Sequence, residues 1–334
     1  MRVLIVKTSS MGDIIHTLPA VTDAMNAIAG IRFDWVVEEG FKEIPHWHSA
    51  VDKVIPVAIR RWRKDPLKTW RSGEWKAFKE NLQQREYDAV IDAQGLLKSA
   101  AIVVRCAHGP SFGYDKLSIK EPLASRFYEH VFAINKDQHA IERIRQLFAQ
   151  ALGYKCPQTQ GDFGVCEHFD QQQGEPYLVF NHGTTRADKH YPEVYWQSLI
   201  TLATEQGWVV KLPWGNDKEF SRAQRLANNN PHVEVLKKMT LCEVSHIIAN
   251  AQGCISVDTG LSHLSAALNK PNITLFGPTN PGLVGGYGNN QQVMLAADYQ
   301  DQGGAIQVGG IEPSVFEPLK PEVVWEAFKL MLGR

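Results

Sequence analysis

Residues 254–271, CISVDTGLSHLSAALNKP, place an acid, a threonine, a glycine and a histidine where an apolar, strand-like run is followed by a helix. The backbone N–H groups of Thr259 and Gly260 at the start of that helix suit a phosphate, and Gly260 lets the backbone approach a ligand closely. Asp258 lies too near those phosphates to bind them and is better suited to sugar hydroxyls. His263, one turn into the helix, is either a donor to a phosphate oxygen or a structural histidine. The segment predicts a site for the junction between a diphosphate and a sugar.

A second cluster of polar side chains follows the strand-like run YLVFNHG, residues 177–183. Thr184, Thr185 and Lys189 come next, and hydroxyls, backbone N–H groups and an ammonium group together suit an anion, above all a phosphate. The alternative is helix capping beside a solvated lysine, although capping needs only one hydroxyl. The cluster favours phosphate binding.

Two further strand ends carry weaker signals. Glu219 falls in the first turn of the helix that follows residues 207–215, where helix-dipole electrostatics explains it adequately and ribose binding is the alternative. Met239 lies between another strand and its helix. A methionine there usually fills the core, but its backbone could equally contact an adenine edge.

The N-terminal segment MRVLIVKTSSMGDIIHTLPAV offers a carboxylate at the end of a buried strand. Ser10 can cap a helix, Gly12 permits a tight turn, and Asp13 falls in the first helical turn. One interpretation is that Asp13 only complements the helix dipole, which contributes about 0.3–1 kcal/mol. The other is that Asp13 is a catalytic base, kept ionised near neutral pH by the helix N-terminus.

Signatures of a metal or a nicotinamide cofactor are missing from the sequence. It contains neither a D-x-D pair nor an H-x-x-x-H pair, and no G-x-G-x-x-G follows the first strand. We therefore expect no metal and no cofactor. The charge of a diphosphate would be met by Lys189 and by helix N-termini.

Residues 60–80 form a basic stretch that also contains three tryptophans. It carries eight Lys or Arg against three acids, in a chain whose formal net charge is −1. This combination suits an anionic membrane interface or single-stranded nucleic acid, although charge runs are usually solvated surface. The tryptophans favour an anionic, partly lipidic partner, and the net charge argues against general nucleic-acid binding. The expected contact residues are Arg60, Arg61, Arg63 and Lys64, with Lys98, Lys116 and Lys120 enlarging the patch.

These residues must be positioned by alternating strands and helices. Short apolar runs alternate with helix-period segments, which predicts right-handed βαβ units in two doubly wound, Rossmann-like α/β domains that face a central cleft. We expect an N-terminal domain over 1–155, a polar linker over 156–176 and a C-terminal domain over 177–320. The first helix is predicted over 13–28. Ligands are expected at the carboxyl ends of the strands.

Composition places the chain among ordinary cytoplasmic proteins. The 334 residues are 44% hydrophobic and 21% charged, which fits two domains. Five scattered cysteines fit buried thiols in a reducing compartment. The start of the chain does not look like a secretion signal, and no run of about 18 uncharged apolar residues occurs. Attachment to a membrane surface stays open.

The segments MRVLIVKTSSMGDIIHTLPAV and DTGLSHLSAALNKPNITLFGPTNP resemble the bacterial lipopolysaccharide heptosyltransferases, glycosyltransferase family 9, and the similarity extends over essentially the whole chain. The resemblance implies a GT-B fold and a metal-independent, inverting transfer of L-glycero-D-manno-heptose. The donor would be ADP-heptose and the acceptor a Kdo residue of Kdo2-lipid A, during inner-core biosynthesis at the cytoplasmic side of the inner membrane. It also implies that the final helix, within 321–334, crosses back to the first domain.

The resemblance assigns roles to individual positions. Asp13 matches the base, and Asp258 matches the acid that binds the donor sugar. Glu219 matches a ribose-binding acid, and Met239 falls where adenine is held. The phosphate-side residues are Thr184, Thr185, Lys189, Thr259, Gly260 and His263. The resemblance places the segment from Arg60 to Lys64 in the region that meets the acceptor. Together with the residues chosen from their place in the sequence, the expected acceptor-side set is Ser10, Gly12, Arg60, Arg61, Arg63, Lys64, Lys98 and Lys120.

Three alternatives remain at this point. A family member could act on an already heptosylated acceptor, which is the nearest confusion. A nucleotide-sugar epimerase of the same architecture would release free sugar without a lipid acceptor. A two-lobed binding protein would hold the nucleotide sugar without turnover.

Overall fold

The computed structural model describes residues 1–170, 174–299 and 314–333. The chain divides into two compact units, Met1–His168 and Phe169–Arg334. The division lies inside the polar segment 156–176 that was expected to be a linker. The assignment of the acceptor to one unit and the nucleotide sugar to the other stays a prediction.

The first unit contains a six-stranded parallel sheet with strand order β3-β2-β1-β4-β5-β6. Its strands are β1 (Arg2–Val6), β2 (Arg32–Glu38), β3 (Val51–Val57), β4 (Ala89–Asp92), β5 (Ser111–Tyr114) and β6 (His130–Phe132). Its helices are α1 (Met11–Ile15), α2 (Leu18–Ala27), α3 (Glu43–His46), α4 (Ile59–Trp62), α5 (Pro66–Arg71), α6 (Glu74–Leu82), α7 (Leu97–Ile102) and α8 (Ala140–Leu152). This is the Rossmann strand order, in which the direction of winding reverses between β1 and β4.

Strand β1 lies at the centre of this sheet because its sequence is an unbroken apolar run. Val3 to Val6 are fully buried, as expected for a parallel strand that is covered on both faces. Val3 pairs with Phe33 of β2 on one side and with Ala89 of β4 on the other. The end of β1 is therefore fixed on both sides, which fixes the direction in which Lys7 and the following loop leave the sheet.

The single helix expected over 13–28 is wrong, because the segment forms two helices, α1 and α2. Pro19 lies in the first turn of α2, where its missing N–H costs nothing, but it cannot continue a helix from before. The tight turn expected at Gly12 is also wrong. Gly12 lies inside α1, buried and without a left-handed φ.

The second unit repeats the same topology. Its six-stranded parallel sheet has the order β12-β11-β10-β7-β8-β9, so its winding reverses between β7 and β10. Its strands are β7 (Tyr177–Asn181), β8 (Val209–Leu212), β9 (Val233–Val235), β10 (Gly253–Val257), β11 (Asn272–Phe276) and β12 (Gln291–Leu295). Its helices are α9 (Glu193–Glu205), α10 (Asp217–Ala227), α11 (Leu241–Ala249), α12 (Gly260–Ala267), α13 (Pro281–Val284) and α14 (Pro321–Met331). Two doubly wound α/β domains, as predicted from the sequence, are confirmed.

The last helix, α14, packs within the second unit. Trp325 and Phe328 are buried in the same apolar cluster as Trp196 of α9, and α14 contacts both α9 and β11. The helix thus completes the core of its own unit. Its expected crossing to the first unit stays a prediction.

The structure shows how far the five cysteines are buried, and whether any described helix is long and apolar enough to cross a membrane. All five cysteines are free thiols, but the expectation that they are buried is wrong for four of them. Only Cys254 is buried, whereas Cys166 is exposed and the other three are half-buried. Among the described residues, no helix combines the length and the apolar character that crossing a membrane requires.

Candidate active site

Asp13 stands at the point where the first sheet reverses its winding, and it is held there by Ser10. The Ser10 backbone N–H and hydroxyl each donate a 2.7 Å hydrogen bond to Asp13 Oδ2. Ser10 is the N-cap residue of α1, so both bonds hold Asp13 against the start of that helix. The carboxylate remains 44% exposed. It is therefore both positioned and accessible, as a base requires.

A buried lysine that the sequence reasoning missed lies beside this carboxylate. The Lys7 Nζ is 3.8 Å from Asp13 Oδ1 and donates a 2.9 Å hydrogen bond to the Ala93 carbonyl. Burial lowers the pKa of Lys7, and the charges of Asp13 and Asp92 oppose that change. The sequence signal for it is a lysine directly after a buried strand.

The loops after β1 and β4 are tied together by side-chain hydrogen bonds. Gln94 Oε1 accepts from the backbone N–H groups of Thr8 at 2.8 Å and Ser9 at 3.0 Å. Asp92 accepts from the Gln94 N–H at 2.8 Å and from the Tyr128 hydroxyl at 2.9 Å. Burial raises the pKa of Asp92, and these donors oppose the change. The network fixes the loop that carries Asp13.

A pocket of about 160 Å³ opens beside Asp13. Lys7, Lys120 and Arg143 line it with Asp13, so three cations surround one carboxylate. Lys120 was expected from the sequence, but Arg143 was missed together with α8, the helix that carries it. Arg143 donates a 2.7 Å hydrogen bond to the Ser118 carbonyl and lies over the Tyr114 ring. The pocket has the charge to hold an anionic group next to Asp13.

The basic residues expected at the acceptor side lie in α4 and the loop that follows. Arg60, Arg63 and Lys64 are exposed, and the Arg60 backbone N–H donates to Glu38 at 3.2 Å. Arg61 is different, since Glu39 and Glu74 both bind its guanidinium. Two carboxylates thus neutralise Arg61. Lys98 is half-buried at the start of α7 and close enough to Glu38 to act on its charge.

In the second unit, three residues that were predicted to bind the donor substrate lie together where the sheet reverses its winding, between β7 and β10. Lys189, after β7, donates a 2.5 Å hydrogen bond to the Asp258 carboxylate, after β10. The Thr184 hydroxyl donates to the Asp258 carbonyl at 3.2 Å. The Asp258 side chain is only 7% exposed. A buried carboxylate and an ammonium group thus meet where a doubly wound sheet binds ligands.

The helix after β10 begins at this cluster. Thr259 precedes the first residue of α12, Gly260, and its side chain makes no hydrogen bond to the helix start. The first N–H groups of an α-helix have no partner within the helix, so they are available to an anion. His263 is buried one turn into α12. Thr185 is exposed in the loop after β7.

Glu219 lies in the first turn of α10, and Met239 lies between β9 and α11. Glu219 Oε2 accepts a 2.7 Å hydrogen bond from the Gly215 N–H. Gly183 lies so close to Glu219 that a Cβ atom at position 183 would be 2.9 Å from the Glu219 carboxyl carbon. The side chain of Glu219 thus contacts the backbone just before its own helix, whose cap is Asn216. Met239 is half-buried just before Thr240, which caps α11.

No metal-ligand cluster occurs in the part of the chain that the structure describes, 1–170, 174–299 and 314–333. No group of three or more His, Cys, Asp or Glu side chains there could hold a metal ion.

Two doubly wound units, each with charged groups at its reversal point, define a glycosyltransferase fold of the GT-B type. The sequence profile described as glycosyltransferase family 9 (heptosyltransferase) matches residues 75–304, and the chain belongs to that family. It is thus a glycosyltransferase enzyme. Lipopolysaccharide heptosyltransferase 1 of Escherichia coli strain K12 is 59% identical over 300 residues, which cover 89% of this chain and 94% of that protein.

Two solved structures are similar over nearly the whole chain. E. coli heptosyltransferase WaaC with ADP has a TM-score of 0.91 and 54% identity, covering 99% of this chain and 100% of that one. The structure of WaaC with ADP-2-deoxy-2-fluoro heptose has a TM-score of 0.88 and 53% identity, covering 99% of both chains.

Proposed function

We propose that this protein transfers L-glycero-D-manno-heptose from ADP-heptose to a Kdo residue of Kdo2-lipid A, which adds the first heptose of the lipopolysaccharide inner core. The observation that carries the proposal is the likeness, over 99% of the chain, to an E. coli heptosyltransferase solved with a fluorinated ADP-heptose. The relative named lipopolysaccharide heptosyltransferase 1 favours this acceptor over a heptosylated one.

The second unit binds the donor in this proposal. Lys189 and the first N–H groups of α12 meet the diphosphate, because an ammonium group and a helix N-terminus both favour negative charge. Asp258 binds heptose hydroxyls, and Glu219 exchanges its contact with the Gly215 N–H for the ribose. The Met239 backbone faces the adenine. The other proposed phosphate contacts are Thr184, Thr185, Thr259, Gly260 and His263.

The reaction is a single displacement with inversion at the anomeric carbon. Asp13 takes the proton from the Kdo hydroxyl while the oxygen of that hydroxyl attacks, and the C–O bond to ADP breaks. Lys189 and the start of α12 stabilise the charge that grows on the leaving diphosphate, without a metal. Ser10 keeps Asp13 in one orientation through two 2.7 Å bonds.

The acceptor is anionic, and the first unit carries the matching charge. Lys120 and Arg143 border the pocket at Asp13, and Arg60, Arg63 and Lys64 are exposed in and just after α4 of the same unit. Ser10 and Gly12 border the reacting hydroxyl in this scheme, and Lys98 extends the basic surface. The same surface attaches the protein to the cytoplasmic side of the inner membrane as a peripheral protein.

The test is a transfer assay with purified protein, chelator and synthetic ADP-heptose. Kdo2-lipid A and its mono-heptosylated form are offered separately, and a third reaction contains donor alone. We expect one heptose to be added to Kdo2-lipid A only. Transfer solely to the heptosylated acceptor would identify the next enzyme of the series. Release of free sugar from donor alone would identify an epimerase. Loss of turnover with chelator would contradict the metal-free mechanism.

A further inference from the structure

Helix α5 of the first unit has no buried residue, although its sequence contains large apolar side chains. Trp70 is 75% exposed and Leu67 is 70% exposed. Asp65 fixes the start of this helix by accepting a 2.9 Å hydrogen bond from the Lys68 N–H. A short helix that is capped but leaves a tryptophan and a leucine in water presents an apolar surface for a ligand or partner.

A pocket of about 310 Å³ lies against this helix. Its wall is formed largely by aromatic and aliphatic side chains, namely Ile59, Trp62, Pro66, Trp70, Trp75 and Ile102. The indole N–H of Trp62 donates to Glu74 at 2.9 Å, and its ring packs edge-on against Trp75 with centroids 6.0 Å apart. The polar atom of Trp62 is therefore satisfied by the protein, and hydrocarbon is left to face the pocket.

The surroundings of the pocket are positively charged. Arg63 lines it, and Lys64, Lys68 and Arg71 are exposed next to it in the sequence. Asp65 is the acid among them, and it caps α5. An apolar pocket with a basic rim matches a molecule that joins hydrocarbon to negative charge.

Helix α7 connects this pocket to the candidate active site. Leu96, just before α7, lines the pocket that contains Asp13, and Ile102, at the end of α7, lines the apolar pocket. Six residues of α-helix rise by about 9 Å. One amphiphilic molecule could therefore place a sugar hydroxyl at Asp13 and a hydrocarbon chain in the apolar pocket.

We propose that the pocket lined by Trp62, Trp70, Trp75 and Ile102 binds an acyl chain of the anionic glycolipid acceptor while its sugar lies at Asp13. This inference rests on the proposed function, because it assigns a further part of the same acceptor. The tryptophans supply apolar area, and the basic rim meets the negative charge of the acceptor.

The experiment compares two acceptors, Kdo2-lipid A dispersed in detergent and the same molecule with all acyl chains removed. Trp70→Ser should raise KM for the acylated acceptor about tenfold, as expected for loss of an aromatic anchor, and leave KM for the deacylated one unchanged. Trp70→Phe should restore most of the affinity. Leu330→Ser is the matched control, since Leu330 is an apolar side chain of the second unit that is 77% exposed.

Two results would overturn the proposal. One is an equal change, or no change, in KM for both acceptors. The other is a Trp70→Ser variant that loses binding to acceptor-free vesicles of anionic lipid while its KM for the acylated acceptor is unchanged, which would make the surface a membrane contact.

Failure of the proposed function can be recognised separately. If the wild-type protein transfers heptose to neither acceptor, chain binding is measured without turnover. An anionic phospholipid with brominated acyl chains, kept below its micelle concentration, should quench tryptophan fluorescence. The quenching should be lost in Ile102→Asn, which retains every tryptophan, and persistence of wild-type quenching in that variant would contradict the acyl site.

Discussion

Lys189 and Asp258 bind each other through a 2.5 Å hydrogen bond, although 69 residues separate them in the sequence. Lys189 lies in the segment that follows β7, and Asp258 directly follows β10. The winding of the second sheet reverses between these two strands. Both residues were expected to bind the donor, one at a phosphate and one at the sugar. The contact means that the proposed phosphate-binding cation and the proposed sugar-binding acid hold each other in position.

The pair predicts different effects of two substitutions on ligands with and without a sugar. Lys189→Met should weaken ADP binding by about 10-fold or more, because it removes a charged donor worth about 1.5–3 kcal/mol. Asp258→Asn should leave ADP affinity within about threefold and raise KM for ADP-heptose, since ADP has no heptose hydroxyl. Calorimetry with ADP and initial rates with the donor measure the two effects.

The matched control is Lys211→Met. Lys211 is also paired with an acid, Glu234 at 3.2 Å, but on β8 and β9. Its ADP affinity should equal that of the wild type. Unchanged ADP affinity in Lys189→Met would remove Lys189 from the phosphate site, and a melting temperature is needed for each variant because Lys189→Met leaves the buried Asp258 without its partner.

Asp13→Asn should lower kcat by about 10²–10⁴-fold, because an amide cannot take the proton of the acceptor hydroxyl. ADP affinity should be unchanged, since the proposed nucleotide contacts come from the second unit. Asp115→Asn is a suitable control: Asp115 is another acid of the first unit that accepts backbone N–H bonds, here from Ser118 at 2.7 Å. A wild-type kcat in Asp13→Asn would show that the base is another group.

Lys7 should set the pH at which Asp13 works. Its ammonium group favours the ionised carboxylate 3.8 Å away, so Lys7→Met should move the acidic limb of the kcat profile to higher pH by about 1 unit or more. The other charged groups that act on Lys7 are Asp92, Arg143 and Lys120, and all of them are kept in the variant.

The conservative variant tests whether charge or packing is responsible. Lys7→Arg keeps the positive charge, and its acidic limb should stay near that of the wild type even if kcat falls. A Lys7→Met profile with an unshifted acidic limb and a lower plateau would indicate that Lys7 only supports the loop through the Ala93 carbonyl.

Much of the fold could be predicted because buried parallel strands read as continuous apolar runs. The buried strand expected in the N-terminal segment is β1, Arg2–Val6, and the strand-like runs that begin at 177 and 254 contain β7 and most of β10. Strands β5 and β6 were missed because neither is a continuous apolar run: β5 contains Ser111 and Gly113, and β6 is largely exposed. Helix α8 was also missed, although Ile141, Ile144, Leu147 and Phe148 repeat at helical spacing and are buried.

The candidate site was predictable where chemistry follows a strand and was not where it depends on tertiary contacts. Asp13, Lys189 and Asp258 each follow an apolar run within a few residues. The Lys7–Ala93 bond joins positions 86 residues apart, and a lysine at the end of a strand gives no sign of the carbonyl that it will meet. Similarly, the sequence shows that Arg61 is basic but not that Glu39 and Glu74 neutralise it.

His48 predicts how the stability of the protein depends on pH. It is buried, its Nδ1 accepts a 3.1 Å hydrogen bond from the Ala50 N–H, and its Nε2 lies 2.9 Å from the Thr22 hydroxyl. Burial lowers its pKa from 6.5 to about 4. Between those pH values the unfolded chain binds a proton that the folded protein does not, so the free energy of unfolding falls as the pH drops from about 6.5 to about 4.

The expected loss from His48 over that interval is up to about 3 kcal/mol. Urea unfolding at pH 7 and at pH 5, followed through the first unit, measures it in the wild type and in His48→Gln. The variant should be less stable at pH 7, because glutamine can keep one hydrogen bond whereas His48 makes two. It should lose less stability on acidification, because glutamine does not titrate. His232→Gln is the control, because His232 is exposed and its removal should leave the pH dependence unchanged. Equal slopes in the wild type and His48→Gln would mean that other groups cause the acid sensitivity.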